Sequence, residues 1–350
     1  MRVASPTIAI PALVRIKAGV LAKLGIYCSR HGFNRVTVVV SSDLPADLRD
    51  VAGQSLRDAG IGAAWLDCSE ASFELAQQLF VGLAGDTAAV IGIGGGRSLD
   101  VAKYLAFLAR VPNIAVPTSL SNDGFCSPGA SLTVAGKRRS LPAALPFGVL
   151  IDTGACLAAP QLLWLSGVGD LVAKLTAVRD WKLAFHATGE PVNDFAALLS
   201  DATVHQFISR PVRDESGARL LGTSLMLNGI AMEICGSSRP ASGSEHLVSH
   251  ALDSFAVRPR LHGIQVGMAT YLASRLQGGV HSEMIASLFS QCGFWEAIRH
   301  DPLSREEWLE AFRRAPSVKA GFHTILSTQD CLDEVSGMID GDPYLQGCFC

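Results

Sequence analysis

This chain contains no basic run longer than the three residues Lys137-Arg138-Arg139, no apolar stretch as long as a membrane span and no two cysteines spaced as C-x-x-C. Each absence excludes a class of function. Lys and Arg total 29 against 32 Asp and Glu, a formal net charge of -3, so the chain lacks the electrostatic footprint of a nucleic-acid binder or of a protein drawn to anionic membranes. A spanning helix needs about 18 nearly uncharged apolar residues, and no segment reaches that length, so no integral membrane association is expected. Arg15, Lys17 and Lys23 break the partly apolar stretch at residues 1–27, which therefore does not read as a secretory leader. The nine cysteines are scattered and odd in number. That pattern predicts free thiols in a reducing cytoplasm, with Cys348 and Cys350 on an exposed tail.

Charge is scarce, at 17% of residues, while apolar side chains make up 49% of a 350-residue chain. Both favour a well-buried core over disorder. The length points to two domains, because single cores stop growing at about 250–300 residues. The first 150 or so residues alternate between strand-like and helix-like segments. Residues 35–42 (RVTVVVSS), 62–68 (GAAWLDC), 88–93 (AAVIGI) and 113–117 (NIAVP) read as strands. Residues 45–59, residues 72–83 and a segment running to residue 110 read as the intervening helices. Such alternation with short connections predicts a parallel sheet covered by helices on both faces. Residues 130–152 read as a hairpin followed by a last strand closing the sheet. Beyond residue 160 the helical period dominates, with breaks near residues 189–191, 237–243 and 259–263. The expectation is an α/β domain over residues 1–154 and an all-α domain over residues 155–350.

Two loops follow strand ends. The first, IGIGGGRSLD, carries Gly94, Gly95 and Gly96 into a helix. Glycines let a backbone approach a ligand, and a helix N-terminus suits a phosphate or pyrophosphate. The spacing is neither G-x-G-x-x-G, since Arg97 stands at the third position, nor a Walker loop. A plain strand-to-helix turn would look the same. The second loop, PTSLSNDGFCSP, packs hydroxyls, an amide and a carboxylate at what should be the carboxyl edge of the sheet, where open α/β folds bind ligands. The alternative is a polar surface loop.

The third feature is a pair of histidines at i and i+4, His246 and His250, which share one helix face. Leu247 stands where a zincin would have glutamate, so a metalloprotease is disfavoured. His262, in RLHG, and Asp170, in GVGD, are each read at a helix start and complete a candidate set. One carboxylate and two imidazoles with open positions would make a catalytic metal site, although any lone histidine is more often a satisfied polar residue.

Taken together, GGGRSLDVAK, PTSLSNDGFCSPGAS, GVGDLVAKLTAVRDWKLA, GSSRPASGSEHLVSHALD and LHGIQVG resemble the glycerol-1-phosphate dehydrogenases. These lie within the larger group of glycerol dehydrogenase, the iron-containing alcohol dehydrogenases and 3-dehydroquinate synthase. The resemblance runs in order from about residue 10 to residue 280. It implies a Rossmann-like N-terminal domain and a helical C-terminal domain, the dehydroquinate synthase-like fold, with the active site in the cleft between them. It also implies that Gly94, Gly95, Gly96, Arg97 and Ser98 hold the pyrophosphate of NAD or NADP. Thr118, Ser119, Leu120, Ser121 and Ser127 would line the cofactor site, and Asp123 would meet the substrate. Asp170, His246 and His262 would bind one divalent metal, usually zinc, with iron or nickel in its place in some members. His250 would touch the substrate and relay a proton. Lys174, Arg179 and Arg239 are the candidates for the substrate phosphate. The expected partner is a phosphorylated polyol or ketone, dihydroxyacetone phosphate foremost, and a homo-oligomer is expected by analogy. Asp43 would disfavour a 2′-phosphate on the cofactor, whereas Ser41 and Ser42 would accept one. Two rival readings remain: a metal- and NAD-dependent sugar-phosphate cyclase of the 3-dehydroquinate synthase type, and a non-catalytic protein that keeps the fold.

Overall fold

The computed structural model describes residues 8–328 and 330–350. Residues 1–7, which open both the segment read as leaderless and the expected first domain, lie outside the described residues. The chain divides into two compact units, one of Met1–Ser119 and Asp123–Ala159, the other of Leu120–Asn122 and Pro160–Cys350.

In the first unit, β1 (Leu13–Ile16), β2 (Arg35–Ser41), β3 (Gly62–Cys68), β4 (Ala89–Gly94), β5 (Asn113–Pro117) and β8 (Gly148–Ile151) form a parallel sheet in the order β1-β8-β5-β4-β2-β3. Helices α1 (Leu24–Arg30), α2 (Ala46–Asp58), α3 (Phe73–Val81) and α4 (Gly96–Ala109) connect the strands, and α5 (Thr153–Ala158) follows β8. Side chains alternate across a strand. Accordingly Val36, Val38 and Val40 of β2 pack with Leu24 and Leu56 on one face, while Val39 packs with Val101, Ala102 and Leu105 on the other. A sheet buried on both faces needs such continuous apolar strands.

Two details differ from the sequence reading. β8 does not close the sheet; it lies between β5 and β1, which pairs with it in parallel from Leu13↔Gly148 to Ile16↔Ile151. β1 has only four residues, LVRI, too few for alternation to declare itself. The hairpin does form, as a separate antiparallel pair, β6 (Gly129–Val134) and β7 (Lys137–Pro142). Its turn has positive φ at both Ala135 (49°) and Gly136 (75°), the handedness that matches strand twist in tight hairpins.

Among the described residues the second unit contains ten α-helices: α6 (Gln161–Val172), α7 (Lys174–Thr188), α8 (Asp194–Ile208), α9 (Glu215–Cys235), α10 (Ser244–Phe255), α11 (His262–Leu276), α12 (Ser282–Cys292), α13 (Phe294–His300), α14 (Arg305–Val318) and α15 (Leu332–Gly341). Asp170 lies near the C-terminal end of α6, not at the helix start expected from the sequence, because α6 runs unbroken through Gly167 and Gly169. These glycines permit close packing. A Cβ on Gly169 would stand 2.0 Å from the carbonyl oxygen of Gly263 on α11, and one on Gly263 would stand 1.8 Å from that of Ser166.

Candidate active site

The glycine turn at the carboxyl end of β4 is built from backbone. Gly94 has φ +134°, and a Cβ there would collide with Ser41 Oγ at 2.2 Å. The turn is held from below. Ser41 Oγ lies 2.9 Å from Ser98 Oγ and accepts from Gly95 N at 3.3 Å, while Thr118 N donates to Gly94 O at 3.0 Å. Gly95 is the N-cap of α4 and supplies no side-chain cap. A Cβ on Gly95 or Gly96 would meet nothing within 4 Å. The first turn of a 14-residue helix therefore presents N–H groups and the positive end of its dipole toward open space. Ser98 is fully buried and its hydroxyl serves the turn itself. Arg97 reaches outward to Asp43 Oδ2 at 2.8 Å and Ser69 O at 2.9 Å.

The second loop is anchored by a residue that sequence reasoning missed. Lys103, one turn beyond Asp100 on α4, is buried beneath it. Its ammonium donates to Gly124 O at 2.5 Å, Gly129 O at 2.8 Å and Ser127 Oγ at 3.1 Å, and lies 3.5 Å from Asp100 Oδ1. Burial pushes the Asp100 carboxyl above its usual range, against the pull of Lys103. The backbone around Asp123 is thus fixed by a desolvated, hydrogen-bonded cation. Asp123 itself is half-buried, as is Thr118, and Ser119 is buried. Leu120 and Ser121 belong to the second unit, where Ser121 O accepts from Ser166 Oγ at 2.8 Å.

Within the second unit, Asp170, His246 and His262 converge. Asp170 Oδ1 lies 3.5 Å from His246 Nε2 and 3.9 Å from His262 Nε2. The three candidate ligand atoms all lie within 4.8 Å of one another. Tight packing of α6 on α11 brings Asp170 to His262, the first residue of α11, and Gly263 N donates to Ser166 Oγ at 3.1 Å. Burial opposes ionisation of Asp170, but Lys174 and then the two imidazoles outweigh it and hold the carboxyl well below its usual range. Burial also opposes protonation of His246, yet hydrogen bonds to Asp170 and Glu245 raise its pKa to about 9. The cluster favours positive charge between these groups. One carboxylate oxygen and two imidazole Nε2 atoms, with positions left open, suit a catalytic divalent ion. Both Nδ1 atoms face the protein: that of His246 is 2.9 Å from Glu245 Oε1, and that of His262 is 3.3 Å from Ser249 Oγ. This leaves each Nε2 lone pair to a metal. His250 is exposed one turn past His246, its ring 6.3 Å from that of His246 and 6.0 Å from that of His262.

The three cations read as phosphate candidates have other tasks. The Lys174 ammonium is buried, donating to Asp170 O at 2.7 Å. Arg179 donates to Gln277 O at 2.9 Å. Arg239 is sealed inside, donating to both Glu190 carboxylate oxygens (2.8 and 2.5 Å) and to His323 O, with the Phe322 ring 3.7 Å away. Burial makes such a pair internal structure, so Arg239 is withdrawn as a phosphate ligand.

The family profile of the iron-containing alcohol dehydrogenases matches residues 15–160. Glycerol-1-phosphate dehydrogenase (NAD(P)+) of Methanosarcina acetivorans is 36% identical over 327 residues, covering 91% of this chain and 90% of that protein. The enzyme of the same name from Methanothermobacter thermautotrophicus is 34% identical, covering 94% and 96%. The chain belongs to the glycerol-1-phosphate dehydrogenase family. The fold agrees with the wider group: glycerol dehydrogenase of Schizosaccharomyces pombe superposes with a TM-score of 0.76 at 20% identity, over 98% of this chain and 91% of that one. Among glycerol-1-phosphate dehydrogenase family motifs quoted above, the buried Lys103 and Glu245 sit inside GGGRSLDVAK and SGSEHLVSH. Their signal was position in a motif, not residue chemistry, since an exposed ion pair is the ordinary fate of either type.

Proposed function

We propose that the chain is a metal-dependent dehydrogenase that interconverts dihydroxyacetone phosphate and sn-glycerol 1-phosphate with NAD or NADP. The observation that carries the reading is the convergence of Asp170, His246 and His262 from three helices of the second unit, in a chain whose relatives bear that enzyme's name. A divalent ion held there, zinc in our reading, supplies Lewis acidity at the ketone oxygen, and the nicotinamide supplies the hydride. Gly94, Gly95, Gly96, Arg97 and Ser98 bind the pyrophosphate through backbone N–H groups and the α4 dipole. Thr118, Ser119, Leu120, Ser121 and Ser127 line the cofactor. Asp123 orients the substrate, and His250, solvent-accessible beside the donor set, carries the proton to or from the substrate oxygen. The first unit is then the nucleotide-binding domain and the second the metal- and substrate-binding domain. Nine free cysteines support a reducing, cytoplasmic setting. Among the described residues no helix is long and apolar enough to cross a membrane.

The test is a spectrophotometric assay of the zinc-loaded protein with dihydroxyacetone phosphate and NADH or NADPH. The expected result is a metal-dependent fall in nicotinamide absorbance, abolished in His246→Ala. Turnover only with a different ketone would keep the reaction class and remove the substrate. No net cofactor oxidation with any ketone would favour the cyclase.

A further inference from the structure

The two histidines of the donor set are backed by different chemistry. Behind His246 stands Glu245, fully buried. Its Oε1 accepts from His246 Nδ1 at 2.9 Å and from Gly243 N at 2.5 Å, and its Oε2 accepts from Thr176 Oγ1 at 2.7 Å. Behind His262 stands a neutral relay. Its Nδ1 faces Ser249 Oγ at 3.3 Å, and that oxygen also accepts from Gln265 Nε2 at 3.0 Å. Gln265 in turn donates to Asp253 Oδ1 at 3.0 Å, and its Oε1 accepts from Arg260 N at 2.8 Å. The His246 side chain is 8% exposed and that of His262 is 27% exposed.

A carboxylate behind an imidazole fixes its orientation and makes the distal nitrogen a stronger donor, through a charge-assisted bond. A hydroxyl fixes orientation while adding little basicity. We propose that Glu245 is the positioning residue that makes His246 the anchoring metal ligand, while the Ser249–Gln265 relay leaves His262 the weaker and more readily exchanged one. This rests on the metal-site reading above. It adds that the two imidazoles are unequal, and that the inequality is built into residues that never touch the metal.

The experiment uses Co2+ as the probe, in the full chain, with affinity from chelator competition and geometry from the visible absorption bands of the bound ion. Glu245→Gln preserves size: its amide oxygen can still accept from Gly243 N and His246 Nδ1, and Thr176 can turn its hydroxyl to accept from the amide nitrogen. The expected result is a loss of Co2+ affinity of about 10–100-fold in Glu245→Gln, with shifted bands and an unchanged melting temperature, and a loss below tenfold in Ser249→Ala. If Glu245→Gln does not fold, Glu245→Asp replaces it under the same thresholds, since it keeps the buried charge and withdraws it from Nδ1. A loss below tenfold in the Glu245 variant, or a larger loss in Ser249→Ala, overturns the inference and leaves the metal site standing. A wild-type chain that binds no Co2+ overturns both.

Discussion

The glycine turn and the Asp170 cluster are both proposed to bind charged groups, yet they are made in opposite ways. The turn is contiguous in sequence and relies on backbone N–H groups, open space over Gly95 and Gly96, and an uncapped helix end. Its one charged side chain, Arg97, points away to an exposed partner. The cluster is drawn from three helices, relies on side chains, and is backed on its His246 side by buried carboxylates. Besides Glu245, Asp180 accepts from Ser244 N at 2.7 Å, Ile325 N at 2.9 Å and Gln277 Nε2 at 2.9 Å. Burial, then the nearby charge of Glu245, pushes the Asp180 pKa up to about 6. A backbone site tolerates change wherever no side chain is missed. A side-chain site depends on every contact that aligns its helices, so mutations should separate the two.

The largest effect is expected at the helix crossing under the cluster. Gly169→Ala puts a methyl 2.0 Å from Gly263 O and 3.1 Å from the Gly267 Cα, and backbone cannot move aside as a side-chain tip can. Stability should fall by about 3 kcal/mol or more, seen by denaturant unfolding, and metal capacity should fall with it. An alanine variant of wild-type stability that still binds metal would break the claim that close packing makes this site. A middle effect separates two glycines of the turn. Gly95→Ala enters open space at an ordinary φ of -86°. It should leave stability within about 0.5 kcal/mol and weaken NADH binding by about tenfold, roughly one lost contact. Gly94→Ala, strained by its φ of +134° and by Ser41, should lose stability as well. Equal behaviour of the two variants in calorimetry would mean the turn is not an open backbone cradle. The smallest effect sharpens the role of Arg97. Asp43→Ala removes an exposed partner at about 0–1 kcal/mol and frees the guanidinium. Use of NADPH relative to NADH should rise a few-fold in steady-state assays, and an unchanged ratio would place the pair away from the cofactor's ribose.

The same contrast explains what could be read in advance. The parallel sheet was legible because both its faces are buried, so β2 and β4 appear as nearly continuous apolar runs, with Thr37 the polar residue inside β2. The glycine turn was legible because all its parts are adjacent. β1 was missed because four residues carry too little pattern, and because its partner β8 lies far along the chain. Asp170 was found, but its helix position was misjudged, since Gly167 and Gly169 read as punctuation when they are packing surfaces against Leu120 O and Gly263 O. Arg239 reads as a ligand-binding cation because a sequence shows the charge and not the Glu190 carboxylate that holds it.

From its sequence alone this protein discloses its fold class, its family resemblance and the residue types of its candidate site, because local periodicity and short motifs carry them. The tertiary structure alone decided that Asp170, His246 and His262 meet, that Lys103 locks the Asp123 loop, and that Glu245 and Ser249 stand behind different imidazoles. Those facts depend on how far one helix can approach another and on which polar groups lose their water together, and neither quantity is encoded in any single stretch of chain.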